Sequence, residues 1–521
     1  MTTAEPTLGA TLSLASVLAE PARRHPARVA VVEGEETITY RELWEQVRKH
    51  AAALQQQGVG PGDRVALVAP NVIDFVRSYY AIIAAGAVVL PVPLLLVPDE
   101  AAYLIRDAGA KLVVSHTSQL ALARDSAKRV GVPVVTVGPT TADEPSLTEL
   151  AAAADPIANH VTRVPDDPAV VFYTSGTTGR PKGAVLTHLN LVLNATVNAF
   201  DANDTRHEDR ILGCLPLFHV FGQTVSLNTT FRASATLVLQ PQFDPAAAID
   251  LIREHGITQI NGVPTMYIRM LEAAPEGADL SSLRLCISGG AALPVAVLEN
   301  FESRFGARIY EGYGLSETSP TATVNQPLHG TRPGTVGHSL WGIDVEVADQ
   351  DREDRIELVP TGELGEIVVR GHNVFAGYLG DREATEAVLV DGWFRTGDIG
   401  RKDADGFLSI VDRKKDLIIR NGYNIYPREV EELLVRHPSV SQVAVLGVPD
   451  TGRGEEVCAV VVPSCSLDEA DETLAKGIIG WAAEKTAHHK YPRKIVFLPE
   501  LPLGPSHKVL KRELRETISQ Q

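Results

Sequence analysis

From about residue 37 to 240 the apolar positions switch repeatedly between two periods. Tyr40-Arg-Glu-Leu-Trp-Glu-Gln-Val-Arg repeats its apolar residues at helical spacing, the mark of a helix with one face on a core. Arg64-Val-Ala-Leu-Val-Ala and Lys111-Leu-Val-Val-Ser are short unbroken apolar runs, which predict buried strands, with a helix from Phe75 to Ala85 between them. The run from Ala81 to Val97 is interrupted by Gly86, Pro91 and Pro93, so it reads as a buried helix turning into a core strand rather than a membrane span. Strands alternating with helices argue for parallel sheets covered by helices. At Ala169-Val-Val-Phe-Tyr a strand runs into a Gly/Thr-rich loop, and a helix begins near His188.

After residue 335 the pattern shortens to strands and turns. Gly365-Glu-Ile-Val-Val-Arg reads as a strand, and Ile399 to Val411 as a hairpin folded at Asp405-Gly406, a pair that tolerates positive φ. A helix opens at Pro427, strands come next at Ser441–Val448 and Val457–Val462, and a basic helix begins near Val509. These changes divide the chain into a body of residues 1–411, a short connection at 412–416 and an α+β domain of residues 417–521.

Length and composition narrow the class. The chain has 521 residues, 44% hydrophobic and 22% charged, an ordinary globular balance. Acidic side chains outnumber basic ones 65 to 48, for a net charge of −17, which argues against nucleic acid as a partner. An anionic ligand would therefore need local cations to hold it. None of Cys214, Cys286, Cys458 and Cys465 has a C-x-x-C partner, so reduced cysteines in a cytoplasmic protein are expected. The first residues, Met1-Thr-Thr-Ala-Glu-Pro, lack the basic and apolar regions of a signal peptide.

The chemistry concentrates in Tyr173-Thr-Ser-Gly-Thr-Thr-Gly-Arg-Pro-Lys-Gly183. Thr174, Ser175, Gly176, Thr177, Thr178 and Gly179 let backbone N–H groups point into a concavity that suits phosphate oxygens, and Lys182 adds a point charge. Pro181 and Gly183 flank Lys182, so the spacing of the P-loop is absent. This segment resembles the phosphate loop of the ANL superfamily of adenylate-forming enzymes, and similarity extends over residues 25–515.

The resemblance implies both a fold and a set of residue roles. The fold would be α/β: a large N-terminal body of two helix-covered mixed or parallel sheets plus a β-barrel-like subdomain, then a small mobile α+β domain. In Glu311-Gly312-Tyr313-Gly314-Leu315-Ser316-Glu317, Tyr313 would stack on adenine, and Glu317 with Thr174 would hold Mg²⁺. Gly290 and Ala291, in Ser288-Gly-Gly-Ala-Ala-Leu-Pro, would lie between adenine and the acid. Asp398, at a strand end in Trp393-Phe-Arg-Thr-Gly-Asp, and Arg413 would take the ribose. His219 and Phe221, in Leu215-Pro-Leu-Phe-His-Val-Phe-Gly, would form the acid pocket with Thr265, Ala291 and Leu315. Lys415 matches the hinge and Gly422 the tunnel for the thiol. Lys508 matches the lysine that bridges carboxylate and α-phosphate, although His507 stands where the family has glycine.

The implied activity is that of an AMP-forming acyl-CoA synthetase using ATP, Mg²⁺ and coenzyme A on a fatty or other hydrophobic acid. A carboxylate attacks the α-phosphorus of ATP and releases pyrophosphate; a thiol then displaces AMP. His507 keeps open a chain that performs only the second half, a non-catalytic acyl-adenylate binder is the further alternative, and an acyl carrier protein is the alternative acceptor.

Overall fold

Parallel pairing dominates where the apolar runs are continuous, because both faces of such strands must be covered. The computed structural model describes residues 10–140, 144–174, 180–421, 423–450, 452–502 and 509–519. It divides into two compact units, Met1–Val345 with Val369–Phe394, and Glu346–Val368 with Arg395–Gln521.

The first unit holds two sheets. One has six strands in the order Val134–Val137, Leu112–His116, Arg64–Val68, Val88–Pro91, Pro168–Thr174, Lys182–Thr187. All its pairings are parallel except the last, where Pro168–Thr174 and Lys182–Thr187 run antiparallel. The other has nine strands, with a parallel centre from Ile309–Gly314 through Leu285–Ser288, Gln259–Gly262, Arg210–Gly213 and Thr236–Leu239 to Val29–Glu33, and antiparallel edges. The helix Tyr40–Gln56 starts where the pattern predicts, closed by a Thr39–Glu42 capping box. Helix Ile73–Ala84 and strand Val88–Pro91 are almost wholly buried, as the interrupted apolar run predicts.

Two local readings change. The loop after Thr174 does not lead straight into a helix; it returns as strand Lys182–Thr187, whose apolar Gly-Ala-Val-Leu centre pairs with the strand before it. Only then does Thr187 cap the helix His188–Val197 by accepting from Asn190 N at 3.2 Å. Asp398 lies within a strand, Trp393–Lys402, and not at its end. Gly397 at φ +72° and a register shift at Ile399/Gly400 bend this strand without ending it, so one long strand replaces two short segments.

The stretch Ile343–Arg413 supplies the strands of the half-barrel sheet. The second unit carries a further five-stranded sheet built around the antiparallel pair Val440–Asp450 and Gly454–Pro463, with Lys494–Phe497 parallel to the latter. Helices Pro427–Leu434 and Glu472–Ala483 contribute Val430, Leu434, Ile478 and Ala482 to a core on this sheet. Cys214, Cys286 and Cys458 are buried free thiols and Cys465 is exposed. No described helix is long and apolar enough to cross a membrane.

Candidate active site

The antiparallel return places Thr174 directly opposite Lys182, at the two ends of the Gly/Thr-rich loop. Ser175, Gly176, Thr177, Thr178 and Gly179 lie outside the described residues. The strand leaving the loop is tightly packed: a Cβ on Gly183 would lie 2.9 Å from Val171 Cγ1 and 3.2 Å from Tyr173 Cζ. On its other side the chain from Phe375 to Asp381 runs alongside, with Ala376 N donating to Val185 O at 3.0 Å and Leu379 N to Gly183 O at 2.7 Å.

Glu317 enters this corner from a short turn, Ser316–Thr318. It is 7% exposed, and its Oε1 accepts from Thr174 Oγ1 at 3.4 Å and from the Tyr378 hydroxyl at 2.9 Å. Its carbonyl accepts from Phe375 N at 2.9 Å, which ties the turn to the same stretch. Lys182 Nζ sits 3.7 Å from Asp381 Oδ2 and 5.4 Å from the centre of the Tyr378 ring. Thr174, Lys182 and Glu317 are thus brought into one cluster. Tyr378 and Asp381 complete it, although no motif singles them out; the local signal is an aromatic between Gly377 and Gly380, followed by the cap of helix Arg382–Val388. Burial, and then the Glu317 charge, push the Tyr378 phenol well above its ordinary range, so it stays a hydrogen-bond donor.

A hydroxyl and a carboxylate this close form a hard-oxygen donor set that suits Mg²⁺, and their chemistry fits that ion. Thr174 and Glu317 are the residues that would hold it.

The strand Ile309–Gly314 delivers the segment expected to face adenine, with Tyr313 and Ser316 half-buried. Glu311 is 4% exposed and its Oε1 accepts from Leu293 N at 3.0 Å, so it anchors the glycine-rich loop that carries Gly290 and Ala291 to the surface. Gly290 has φ +81°, a conformation that favours glycine. Gly312 pairs with Val324, and a Cβ on Gly314 would run into the Pro320 carbonyl.

His219 precedes a wide helical segment, Phe221–Asn228. Its Nδ1 accepts from Phe221 N at 3.2 Å, which fixes the ring. The Phe221 ring lies 3.3 Å from where a Gly289 Cβ would be, so the His219–Phe221 segment and the glycine-rich loop meet. Thr265, half-buried, lies in the first turn of helix Pro264–Ala273, and Leu315, also half-buried, donates its N–H to Thr318 Oγ1 at 2.8 Å.

In the second unit, Asp398 stands directly opposite Arg413 in the strand pair, with Arg413 Nε 3.1 Å from its Oδ1. Asp398 is 3% exposed. Burial lowers the pKa of Lys415 and raises that of Asp412, whose Oδ2 accepts from Arg428 N at 2.9 Å. Gly422, His507 and Lys508 lie outside the described residues.

Comparison with known proteins is consistent along the chain. Residues 18–379 match the AMP-binding enzyme family and residues 429–508 match the AMP-binding enzyme C-terminal domain. A long-chain-fatty-acid–CoA ligase of Bacillus subtilis is 35% identical over 97% of this chain and 94% of its own. A feruloyl-CoA synthase of an Amycolatopsis species is 38% identical over 95% and 96%. The crystal structure of ATP-bound MatB from Rhodopseudomonas palustris superposes with a TM-score of 0.88 at 35% identity, over 96% of this chain and 98% of that one.

Proposed function

Since the chain belongs to the family of AMP-binding enzymes, we propose that it activates a hydrophobic acid, fatty or arylpropenoic, and transfers it to coenzyme A in the cytoplasm. It is an AMP-forming acid–thiol ligase that uses ATP, Mg²⁺ and coenzyme A. The observation that carries the reading is the convergence of Thr174, Lys182 and Glu317 at the mouth of the Gly/Thr-rich loop.

The first half-reaction joins two anions, so its barrier falls mainly by charge neutralisation and positioning. Mg²⁺, held by Thr174 and Glu317, would supply Lewis acidity at the phosphate oxygens. Lys182 meets the phosphates from the strand after the loop, and Lys508 bridges the carboxylate and the α-phosphate. Asp398 and Arg413 hold the ribose, and Tyr313 lies against the adenine. The carboxyl group sits at His219, with Phe221, Thr265, Ala291 and Leu315 around the tail. The second half needs Lys508 withdrawn and a path for the thiol past Gly422; rotation of residues 417–521 about Lys415 provides both.

Two features support a hydrophobic acid. The Phe221 ring packs between two apolar clusters, and the Bacillus and Amycolatopsis relatives act, by name, on long-chain fatty acids and ferulate. The buried free thiols suit a reducing compartment.

Acid-dependent pyrophosphate release, measured over fatty, aryl, dicarboxylic and sulfonated acids, tests the assignment. Long-chain or aryl acids should give the highest kcat/KM, and a preference for dicarboxylic or sulfonated acids would overturn it. His507 favours one other outcome, thioester formation from supplied acyl adenylate without pyrophosphate release, which would restrict the enzyme to the second half.

A further inference from the structure

Lys182 and Glu317 carry opposite charges within one corner of the first unit, and partly buried opposite charges attract strongly. A direct pair between them would occupy both groups and would have to break before a metal–nucleotide complex could bind. Among the described residues Lys182 instead pairs with Asp381, at 3.7 Å. Tyr378 separates the two charges: its hydroxyl donates to Glu317 Oε1 at 2.9 Å while its ring lies under the Lys182 ammonium, 5.4 Å from the centroid.

We infer that Tyr378 and Asp381 are positioning residues that keep the site open before substrate arrives. Tyr378 is a spacer that prevents collapse of Lys182 onto Glu317, and Asp381 is a resident counter-ion that Lys182 exchanges for the triphosphate. The inference rests on the assignment of this corner to Mg²⁺–ATP and adds to it two residues outside the motifs. The anchoring of both residues suits the task. Tyr378 N donates to Thr385 Oγ1 at 2.9 Å, and Asp381 Oδ1 caps helix Arg382–Val388 by accepting from Ala384 N at 2.9 Å, which leaves Oδ2 toward the lysine. Both hydrogen bonds described on Glu317 fall on Oε1, so Oε2 is the oxygen offered to the cation. At 3.7 Å, with both side chains partly exposed, the Lys182–Asp381 pair is weak enough to exchange.

The test is calorimetric binding of α,β-methylene-ATP to the full chain at a series of Mg²⁺ concentrations, with acid-dependent pyrophosphate exchange as the kinetic counterpart. Tyr378→Phe keeps the ring and removes the donor, and should raise the Mg²⁺ requirement for analogue binding about tenfold. Tyr378→Ala removes the spacer as well and should weaken analogue binding even at saturating Mg²⁺. Asp381→Asn keeps the helix cap and removes the rival charge, so it should tighten the analogue about threefold. Thermal melting without ligand should leave the Phe and Asn variants close to the parent. If the parent binds the analogue and both conservative variants match it in affinity and Mg²⁺ requirement, the inference fails while the functional assignment stands. If the parent binds no analogue, the assignment of this corner to nucleotide fails first.

Discussion

His188 shows how a single buried ring couples stability to acid. Its Nδ1 accepts from Leu14 N at 3.0 Å, so the folded ring must carry no proton there, and the side chain is fully buried. Burial, reinforced by the Arg163 charge, takes its pKa from 6.5 down to about 4. Between those values the unfolded chain takes up a proton at this ring and the folded chain does not, so stability falls as pH drops through that window. The gap corresponds to about 3 kcal/mol at most, lost by pH 4. His50, also buried and lowered to about 4, acts in the same direction. Replacing His188 with Asn keeps an acceptor for Leu14 N without a titrating group. The variant's denaturant midpoint should lose markedly less than the parent's between pH 7 and pH 4.5, and an unchanged slope would discard the role given to His188.

The strand pair carrying Asp398 and Arg413 shows what an element contributes beyond its residues. Fifteen positions of sequence separate the two, yet the turn at Asp403–Phe407 sets them in register, and the pairing leaves a buried carboxylate steadied by a guanidinium. If that carboxylate takes the ribose hydroxyls, each hydrogen bond to the charge is worth about 1.5–3 kcal/mol. The parent should then prefer ATP to 2′-deoxy-ATP in pyrophosphate exchange, and Asp398→Asn should shrink that preference about tenfold or more. A preference that survives the substitution would place the ribose elsewhere. At this scale the sequence was legible where an element carries its own pattern: the helix from Tyr40 and the strands at Arg64 and Leu112 stand where apolar spacing puts them, and the hairpin around Asp405-Gly406 where its turn pair puts it. It was opaque where pairing decides. The strand Lys182–Thr187 follows directly on the Gly/Thr-rich loop, carries only a Gly-Ala-Val-Leu run at its centre, and is fixed by its antiparallel ladder with Pro168–Thr174. Likewise, motifs indicate Thr174, Lys182 and Glu317, but Tyr378 and Asp381 join them only through hydrogen bonds between the stretch Phe375–Leu379 and the strand beside it.

Over the whole chain, the two half-reactions make opposite demands. Adenylation needs a cation between two anions, whereas thioesterification needs that cation gone and an open path for a thiol. A single rigid arrangement satisfies one demand at the expense of the other, which is the physical case for the rotation proposed about Lys415. Two substitutions separate the demands. Lys508→Ala removes the cation proposed to bridge carboxylate and α-phosphate and should lower acid-dependent pyrophosphate release by at least about a hundredfold, as expected for loss of a transition-state electrostatic contact. The same variant should form thioester normally from supplied acyl adenylate and coenzyme A. Gly422→Leu should do the reverse: pyrophosphate release survives, thioester formation is blocked, and acyl adenylate accumulates on the enzyme. Because each variant retains the half-reaction that the other lacks, an equimolar mixture regains overall turnover only as fast as adenylate escapes from one molecule and enters another. Its rate should therefore rise with total enzyme concentration, while the parent's turnover per molecule stays constant. If both variants lost both half-reactions together, one shared arrangement would serve the entire reaction, and the alternation assigned to residues 417–521 would have no work to do.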